Sequence, residues 1–294
     1  MERFSSDDLD HLRRHGYVLV HHFINEAELR AVRADLSRLF PSWDDLEADG
    51  EKWPDLDRSG DGVAEFPFRG GSLNTMSTHP QLIKLTKAAL DHDDVILTQS
   101  ICWAKYARRN DFEQSLHLDW HDNSLVMPRP DGAFGQLHMI LYYSDATEGL
   151  APTAVVPLSA SVDRPLAPWA RTKATDPDLY RHEIPVRAHA GDLLCFTGRT
   201  FHRCTGFATS RGFRISHHLA WRGAGYEWMS WRGWAQFADQ LPMIRWMLKA
   251  TPEQRSVLGF PPPGHAYWNE DSLELVAMRY PGMDMSPYRA AIRQ

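Results

Sequence analysis

Ser115-Leu-His-Leu-Asp-Trp-His-Asp-Asn-Ser124 is the stretch around which the chain is organised. In an extended strand alternate side chains share a face, so His117 and Asp119 point the same way, and His121 falls on that face too. An imidazole and a carboxylate side by side are two of the three ligands of a facial two-His-one-carboxylate site, which suits non-haem Fe(II) and leaves positions open. The third ligand must come from elsewhere in the chain. His202 is the candidate, in Gly191-Asp-Leu-Leu-Cys-Phe-Thr-Gly-Arg-Thr-Phe-His202, where an apolar run predicts a buried strand, then a turn, then a histidine. Shortly after it, Gly212-Phe-Arg-Ile-Ser216 places Arg214 and Ser216 on one face of a further strand, a pair suited to holding a carboxylate.

A His-x-Asp alone arises often by chance, and the order of the residues adds what the pair lacks. His117, Asp119, His202 and then Arg214 in Arg-x-Ser resembles the phytanoyl-CoA dioxygenase-like family of Fe(II)- and 2-oxoglutarate-dependent dioxygenases. The resemblance runs from about Phe4 to Trp221, because Leu12-Arg-Arg-His-Gly-Tyr-Val-Leu-Val20 and Ile24-Asn-Glu-Ala-Glu-Leu29 are similar to that family's opening helix, strand and helix. It implies that Fe(II) sits on His117, Asp119 and His202. It further implies that 2-oxoglutarate chelates the metal through its 1-carboxylate and keto oxygen. Arg214 then pairs with the distal carboxylate, Ser216 adds a hydrogen bond and Lys105 is a further candidate contact. Reaction with O2 yields succinate and CO2, and hydroxylation of a small molecule is the usual outcome. Arg214 lies twelve residues after His202, one more than the family spacing, and Arg211 lies nine after. Arg214 is preferred for its Arg-x-Ser pattern, and Arg211 stays as the alternative.

Trp103, Trp120, His121 and His138 are candidates for the substrate pocket, with core or structural roles as the competing readings. The irregular, Asp-, Gly-, Trp- and Pro-rich segment from Pro41 to Ser72 is a candidate lid. A related halogenase needs a small residue where Asp119 stands. A zinc or manganese cupin-like isomerase or hydrolase would use similar ligands but has no need of Arg214. A non-catalytic metal-binding jelly-roll protein is the third alternative. No acyl-CoA signature is visible, so the substrate is not read from the family name.

The 294 residues are 43% hydrophobic, with 11 Trp and 13 Phe, a composition that excludes a disordered chain. Cys102, Cys195 and Cys204 are too few and too scattered for a disulfide framework or zinc knuckle, as suits a reducing cytoplasm. The start has neither the basic region nor the apolar run of a signal peptide, and no stretch reaches the length of a membrane span. A net charge of -6 argues against a general nucleic-acid binder. The expectation is a soluble cytoplasmic enzyme, monomer or homodimer, without membrane or nucleic-acid partners.

Along the chain, a helix from Asp7 to Arg14, a strand from Tyr17 to Val20, a helix capped by Asn25 and running to about Leu39, and a helix from His79-Pro80 to about Leu90 come first. Strands are predicted over Val95–Tyr106, Ser115–Trp120, Gln136–Tyr143, Ala154–Pro157, His182–Val186, Asp192–Phe196, Phe201–Cys204 and Phe213–Trp221. Many short strands with helices gathered before them predict a mainly β fold with α additions. That fold is a cupin-like jelly roll, the double-stranded β-helix that the family resemblance also implies. One domain is expected, with a helical part over about 1–92, the jelly-roll core over about 93–221 and a Trp-rich helical extension over about 222–294. Packing on the barrel is the default for that extension's aromatics.

Overall fold

The computed structural model describes residues 2–53, 56, 62–129 and 131–292. Its helices are α1 (Ser6–His15), α2 (Glu26–Leu36), α3 (Trp43–Ala48), α4 (Gly71–Ser77), α5 (Pro80–Leu90), α6 (Trp120–Asn123), α7 (Pro177–Arg181), α8 (Leu241–Lys249), α9 (Pro252–Ser256), α10 (Glu270–Arg279) and α11 (Ser286–Ile292). Its strands are β1 (Tyr17–Val20), β2 (Val63–Glu65), β3 (Val95–Tyr106), β4 (Leu116–His117), β5 (Gln136–Tyr142), β6 (Thr153–Val155), β7 (Ala170–Arg171), β8 (Ile184–Val186), β9 (Leu193–Thr197), β10 (His202–Cys204) and β11 (Phe213–Gly223).

The strands form two antiparallel sheets, one of six strands in the order β1-β9-β5-β11-β3-β2 and one of five in the order β7-β4-β10-β6-β8. Ile140, Tyr142, Leu194 and Phe196 of the larger sheet pack with Val155 and Val186 of the smaller in one apolar cluster, which makes the pair a jelly roll. The alternate residues of the same strands, among them Met139, Leu141, Leu193 and Cys195, face the other way. They pack with Val32 and Leu36 of α2, Leu82, Ile83 and Leu85 of α5, and Met243 and Trp246 of α8. With both faces covered, β5 is buried at every position, so its sequence reads as a nearly continuous apolar run.

Local chemistry explains the opening elements. Ser5 and Asp8 form a capping box at α1, and Asn25 and Glu28 form one at α2. Gly16 ends α1 at φ 81°, and a Cβ there would come within 2.6 Å of the Leu158 and Thr200 side chains, so glycine alone fits. Helix α2 stops at Leu36, short of the predicted Leu39, because i→i+3 bonds tighten the chain from Arg38 to Leu39 ahead of Pro41.

The segment from Pro41 to Ser72 is more ordered than its composition suggests. It contains α3 and β2, and β2 pairs with the edge of β3; residues 54–55 and 57–61 of that segment lie outside the described residues. The tail after β11 packs on the larger sheet. Trp234 donates its Nε1–H to the Leu97 carbonyl at 2.8 Å, and Phe66 meets both Trp234 and Trp246 edge to face. Among the described residues no helix is long and apolar enough to cross a membrane.

Strand β11, which carries Arg214 and Ser216, is paired along its length with β3 and from Ser216 to Arg222 also with β5. Its opposite face is anchored by the fully buried His217. The Nδ1 and Nε2 atoms of that ring meet Tyr143 Oη and Ser100 Oγ, each at 2.8 Å, and Ser100 continues to Ser77. Burial lowers the His217 pKa from 6.5 to about 3. The native ring therefore stays neutral while the unfolded one takes up a proton, so its contribution is complete above pH 6.5 and is lost progressively as the pH falls towards 3. Replacing His217 by Gln is expected to flatten the dependence of denaturation free energy on pH between about pH 6 and pH 4, by up to about 1.4 kcal/mol per pH unit. An unchanged slope in urea titrations would show that His217 is not the titrating group.

Candidate metal and cosubstrate site

Antiparallel pairing of β4 with β10 sets His117 directly opposite His202. Directly opposed residues lie close enough for their side chains to interact, and the two ring centroids are 4.4 Å apart. The strand does not continue to Trp120 as the alternation reading expected. It ends at His117, and Asp119 has helical backbone angles (φ -77°, ψ -1°) as the residue that opens α6. The turn nevertheless brings the carboxylate beneath both rings. Asp119 Oδ1 is 3.4 Å from His117 Nε2, and Oδ2 is 3.4 Å from His202 Nε2. One ligand atom from each of the three side chains lies within 4.8 Å of the others.

The tautomers follow from the neighbours. His117 Nδ1 faces the Ser115 carbonyl at 2.9 Å and His202 Nδ1 faces the Thr200 carbonyl at 3.1 Å. A carbonyl only accepts, so both Nδ1 atoms donate, and each Nε2 keeps its lone pair for the shared centre. Burial opposes charge on Asp119, yet His202 and His117 beside it hold its carboxyl well below the usual carboxylate range. Two imidazole lone pairs and one carboxylate are a fitting donor set for Fe(II).

The same cavity, of about 490 Å³, contains Arg214. Its guanidinium is buried, donating to the Ala151 carbonyl and, at 3.2 Å, to Cys204 Sγ, while its Nε–H has no partner. Among the described residues no carboxylate is ion-paired with it, and the nearby Asp111 is engaged by Lys105 at 3.1 Å. Burying a charge without an opposite one costs several kcal/mol, which marks the spot as a place for an anion. Burial would raise the Cys204 thiol, but Arg214 and Lys105 beside it bring it below the ordinary thiol value. Arg211, the alternative anchor, is an exposed residue paired with Asp44 and Glu47 of α3.

Lys105, opposite Arg214 in the β3–β11 register, also lines the cavity. Its ammonium is already saturated, with Phe112 O at 2.5 Å, Thr205 O at 2.6 Å and Asp111, so it sets the local field without a free N–H to offer. The Ser216 hydroxyl is fully buried and shares a 3.0 Å hydrogen bond with His218 Nε2, and His218 itself reaches the cavity wall.

Of the pocket candidates, Trp103, His121 and His138 line this cavity. His138 stacks on Phe196, its Nδ1 lies 3.4 Å from Asp119 Oδ2, and its Nε2 is buried without a partner. Burial lowers its pKa to about 4, so the ring is neutral. His121 does not follow His117 and Asp119 on a strand face. Helix α6 carries it onto Trp169, with ring centroids 3.6 Å apart and planes at 3°. Trp120 turns away, donating to the Leu166 carbonyl and lining a separate cavity. None of the described residues from 41 to 72 lines the site cavity, so their part of the expected lid is not in its wall.

The sequence reading missed Asp122, Asn123, Trp169, Cys204, His218 and Trp231, all of which line the cavity. Period-two spacing from His202 and Ser216 could have found Cys204 and His218. Trp169 had no such signal, since it sits in a segment that reads as loop and emerges beside β7.

Known proteins share this fold. Among solved structures the chain is similar to the non-heme alpha ketoglutarate dependent carbocyclase SnoK from nogalamycin biosynthesis, at 18% identity and TM-score 0.57 over 75% of this chain and 85% of that one. It is similar to EctD from S. alaskensis in its apoform, at 16% identity and TM-score 0.56 over 79% and 83%. It is also similar to HygX from Streptomyces hygroscopicus with nickel and 2-oxoglutarate bound, at 13% identity and TM-score 0.55 over 76% and 88%. Identities this low speak for the fold. A sequence comparison with the curated proteins finds no match. The family model for phytanoyl-CoA dioxygenase (PhyH) matches residues 12–216, from α1 to the Arg-x-Ser of β11. With more than half of its length matched, the chain belongs to the phytanoyl-CoA dioxygenase family.

Proposed function

We propose that this protein is an Fe(II)- and 2-oxoglutarate-dependent oxygenase that hydroxylates a small molecule, with His117, Asp119 and His202 holding the metal and Arg214 anchoring the cosubstrate. The family's cofactors, Fe(II), 2-oxoglutarate and O2, are the ones this donor set suits. The observation that carries the reading is a buried guanidinium without a carboxylate partner in the same cavity as three converging ligand atoms. A zinc or manganese isomerase or hydrolase would need the ligands but would leave that arginine unexplained.

When bound, the metal and cosubstrate supply the oxidising power, coupling decarboxylation of 2-oxoglutarate to oxidation of the substrate. The chain's own residues do the positioning. Ser115 O and Thr200 O fix the imidazole rings by accepting their Nδ1–H groups. The planar fork of Arg214 matches the distal carboxylate of 2-oxoglutarate, and its fixed positive charge does not titrate. Cys204 lies against that fork and Lys105 adds positive potential beside it. Ser216, two residues along the same strand face as Arg214, is fully buried and holds His218, which lines the cavity, so its part in the cosubstrate pocket is through that ring. His138 and Phe196 close the far side of Asp119 with a neutral ring and an apolar one, which limits water around the ligand carboxylate.

Two variants test this assignment. Arg214→Ala is expected to weaken 2-oxoglutarate binding to the anaerobic, metal-loaded protein by about 30-fold or more, since removing one side of a buried charge pair costs roughly 2 to 5 kcal/mol. Arg211→Ala should change it little, and a larger loss in the Arg211 variant would reverse the choice of anchor. Asp119→Gly should stay folded in a thermal melt and lose substrate-linked succinate formation. Near-normal turnover by that variant would remove the carboxylate from the ligand set. Mass spectrometry separates hydroxylation from other outcomes, because a hydroxylated product gains one oxygen atom.

A further inference from the structure

The cavity has two chemically different halves. Its cationic side chains, Lys105, Arg203 and Arg214, all cluster towards β3, β10 and β11. Lys105 is paired with Asp111, Arg203 is paired with Glu113 and Glu183, and Arg214 is the cosubstrate anchor in the reading above. The half formed by α6 and its neighbours is different. Among its described lining residues, and apart from the ligand Asp119, the charged side chain is the carboxylate of Asp122, which is 42% exposed and has its nearest ionic neighbour, His121 Nδ1, at 3.6 Å. Among the described lining residues of this half there is no lysine or arginine. Two indoles, Trp169 and Trp231, stand in this half, while Trp103 lines the cavity from β3, two residues from Lys105.

Two buried polar atoms in the same half lack partners. Asn123 is only 3% exposed, and its Oδ1 accepts no hydrogen bond, although its backbone carbonyl is taken by Ser230 N–H at 3.0 Å. Trp231, the next residue after Ser230, has a buried Nε1–H with nothing to donate to. Both residues line the cavity, and a buried acceptor and a buried donor left open cost free energy unless a bound molecule satisfies them.

We infer that the substrate is a small organic amine, bound as its ammonium cation by Asp122, Asn123 Oδ1 and the indoles of Trp169 and Trp231, and carrying a hydrogen-bond acceptor for Trp231. The inference rests on the oxygenase reading in one respect, because Arg214 is reserved for the cosubstrate. Indole faces attract ammonium groups through their negative π surface, and a carboxylate supplies the countercharge. The N–H groups of such a cation satisfy Asn123 Oδ1, and a hydroxyl or ether oxygen elsewhere in the molecule satisfies Trp231 Nε1–H. An anionic substrate meets the opposite environment, with Asp122 repelling it, Lys105 and Arg203 already paired and Arg214 reserved for the cosubstrate.

The test uses Zn(II)-loaded protein, which is redox-inert, and three probes of one shape: tyramine, tyrosol and 4-hydroxyphenylacetate, which end in an ammonium, a hydroxyl and a carboxylate. Binding is followed by ligand-observed NMR, with 2-oxoglutarate titrated in parallel. Tyramine is expected to bind about tenfold or more tightly than 4-hydroxyphenylacetate. In Asp122→Asn that preference should disappear while 2-oxoglutarate still binds and the thermal melt is retained. Absence of tyramine binding, equal or tighter binding of the carboxylate, or an undiminished preference in Asp122→Asn overturns the inference. Failure of 2-oxoglutarate to bind the wild type is a separate result, which counts against the oxygenase reading and not against the amine preference.

Discussion

Two imidazoles and a carboxylate must converge on one point without any of them using the wrong atom, and the rest of the molecule serves that requirement. The cross-strand pairing of His117 with His202 sets the spacing of the rings, and the carbonyls of Ser115 and Thr200 set which nitrogen each ring offers. Strands as short as β4 and β10 would not persist alone, since isolated short pairings are marginal in water. They persist here because the smaller sheet is held by apolar contacts against the larger one, whose opposite face is sealed by helices. Precision at the site is thus borrowed from burial some distance away.

Electrostatics divides the cavity as clearly as the backbone builds it. Arg214 stands on β11, which is hydrogen-bonded on both sides, so its charge is fixed in place before any anion arrives. The neighbouring strand contributes Lys105, tied to two carbonyls and a carboxylate. Positive potential is therefore concentrated at one end of the cavity, and Asp122, Trp169 and Trp231 stand at the other. Two small molecules of opposite character can share such a space without exchanging places.

How much of this was legible in the sequence depended on whether the signal was local. Period-two alternation and apolar runs located β3 and β1 to the residue, and side-chain caps located α1 and α2 within a few residues, since strand pleating and helix capping are short-range effects. That His117, Asp119 and His202 belong together was visible because residue type and order survive whatever the backbone does between them. The geometry by which Asp119 reaches the centre was not visible, because the strand stops at His117 and a helical turn begins, a change made by tertiary packing. The same change sent Trp120 out of the cavity and laid His121 on Trp169. The saturation of Lys105 was hidden for another reason. Its partners include a main-chain oxygen a hundred residues away, and backbone carbonyls carry no sequence signature.

Asp119 is both the carboxylate at the centre and the residue from which α6 departs. Asp122 and Asn123 follow within one turn, so the wall on the far side of the cavity is tied through the backbone to that carboxylate. The short helix is also held from outside, by Trp120 Nε1–H on the Leu166 carbonyl, by His121 on Trp169 and by Ser230 N–H on the Asn123 carbonyl. A substitution that shifts any of these contacts shifts the central carboxylate with it, so the wall and the centre of the cavity cannot be altered independently.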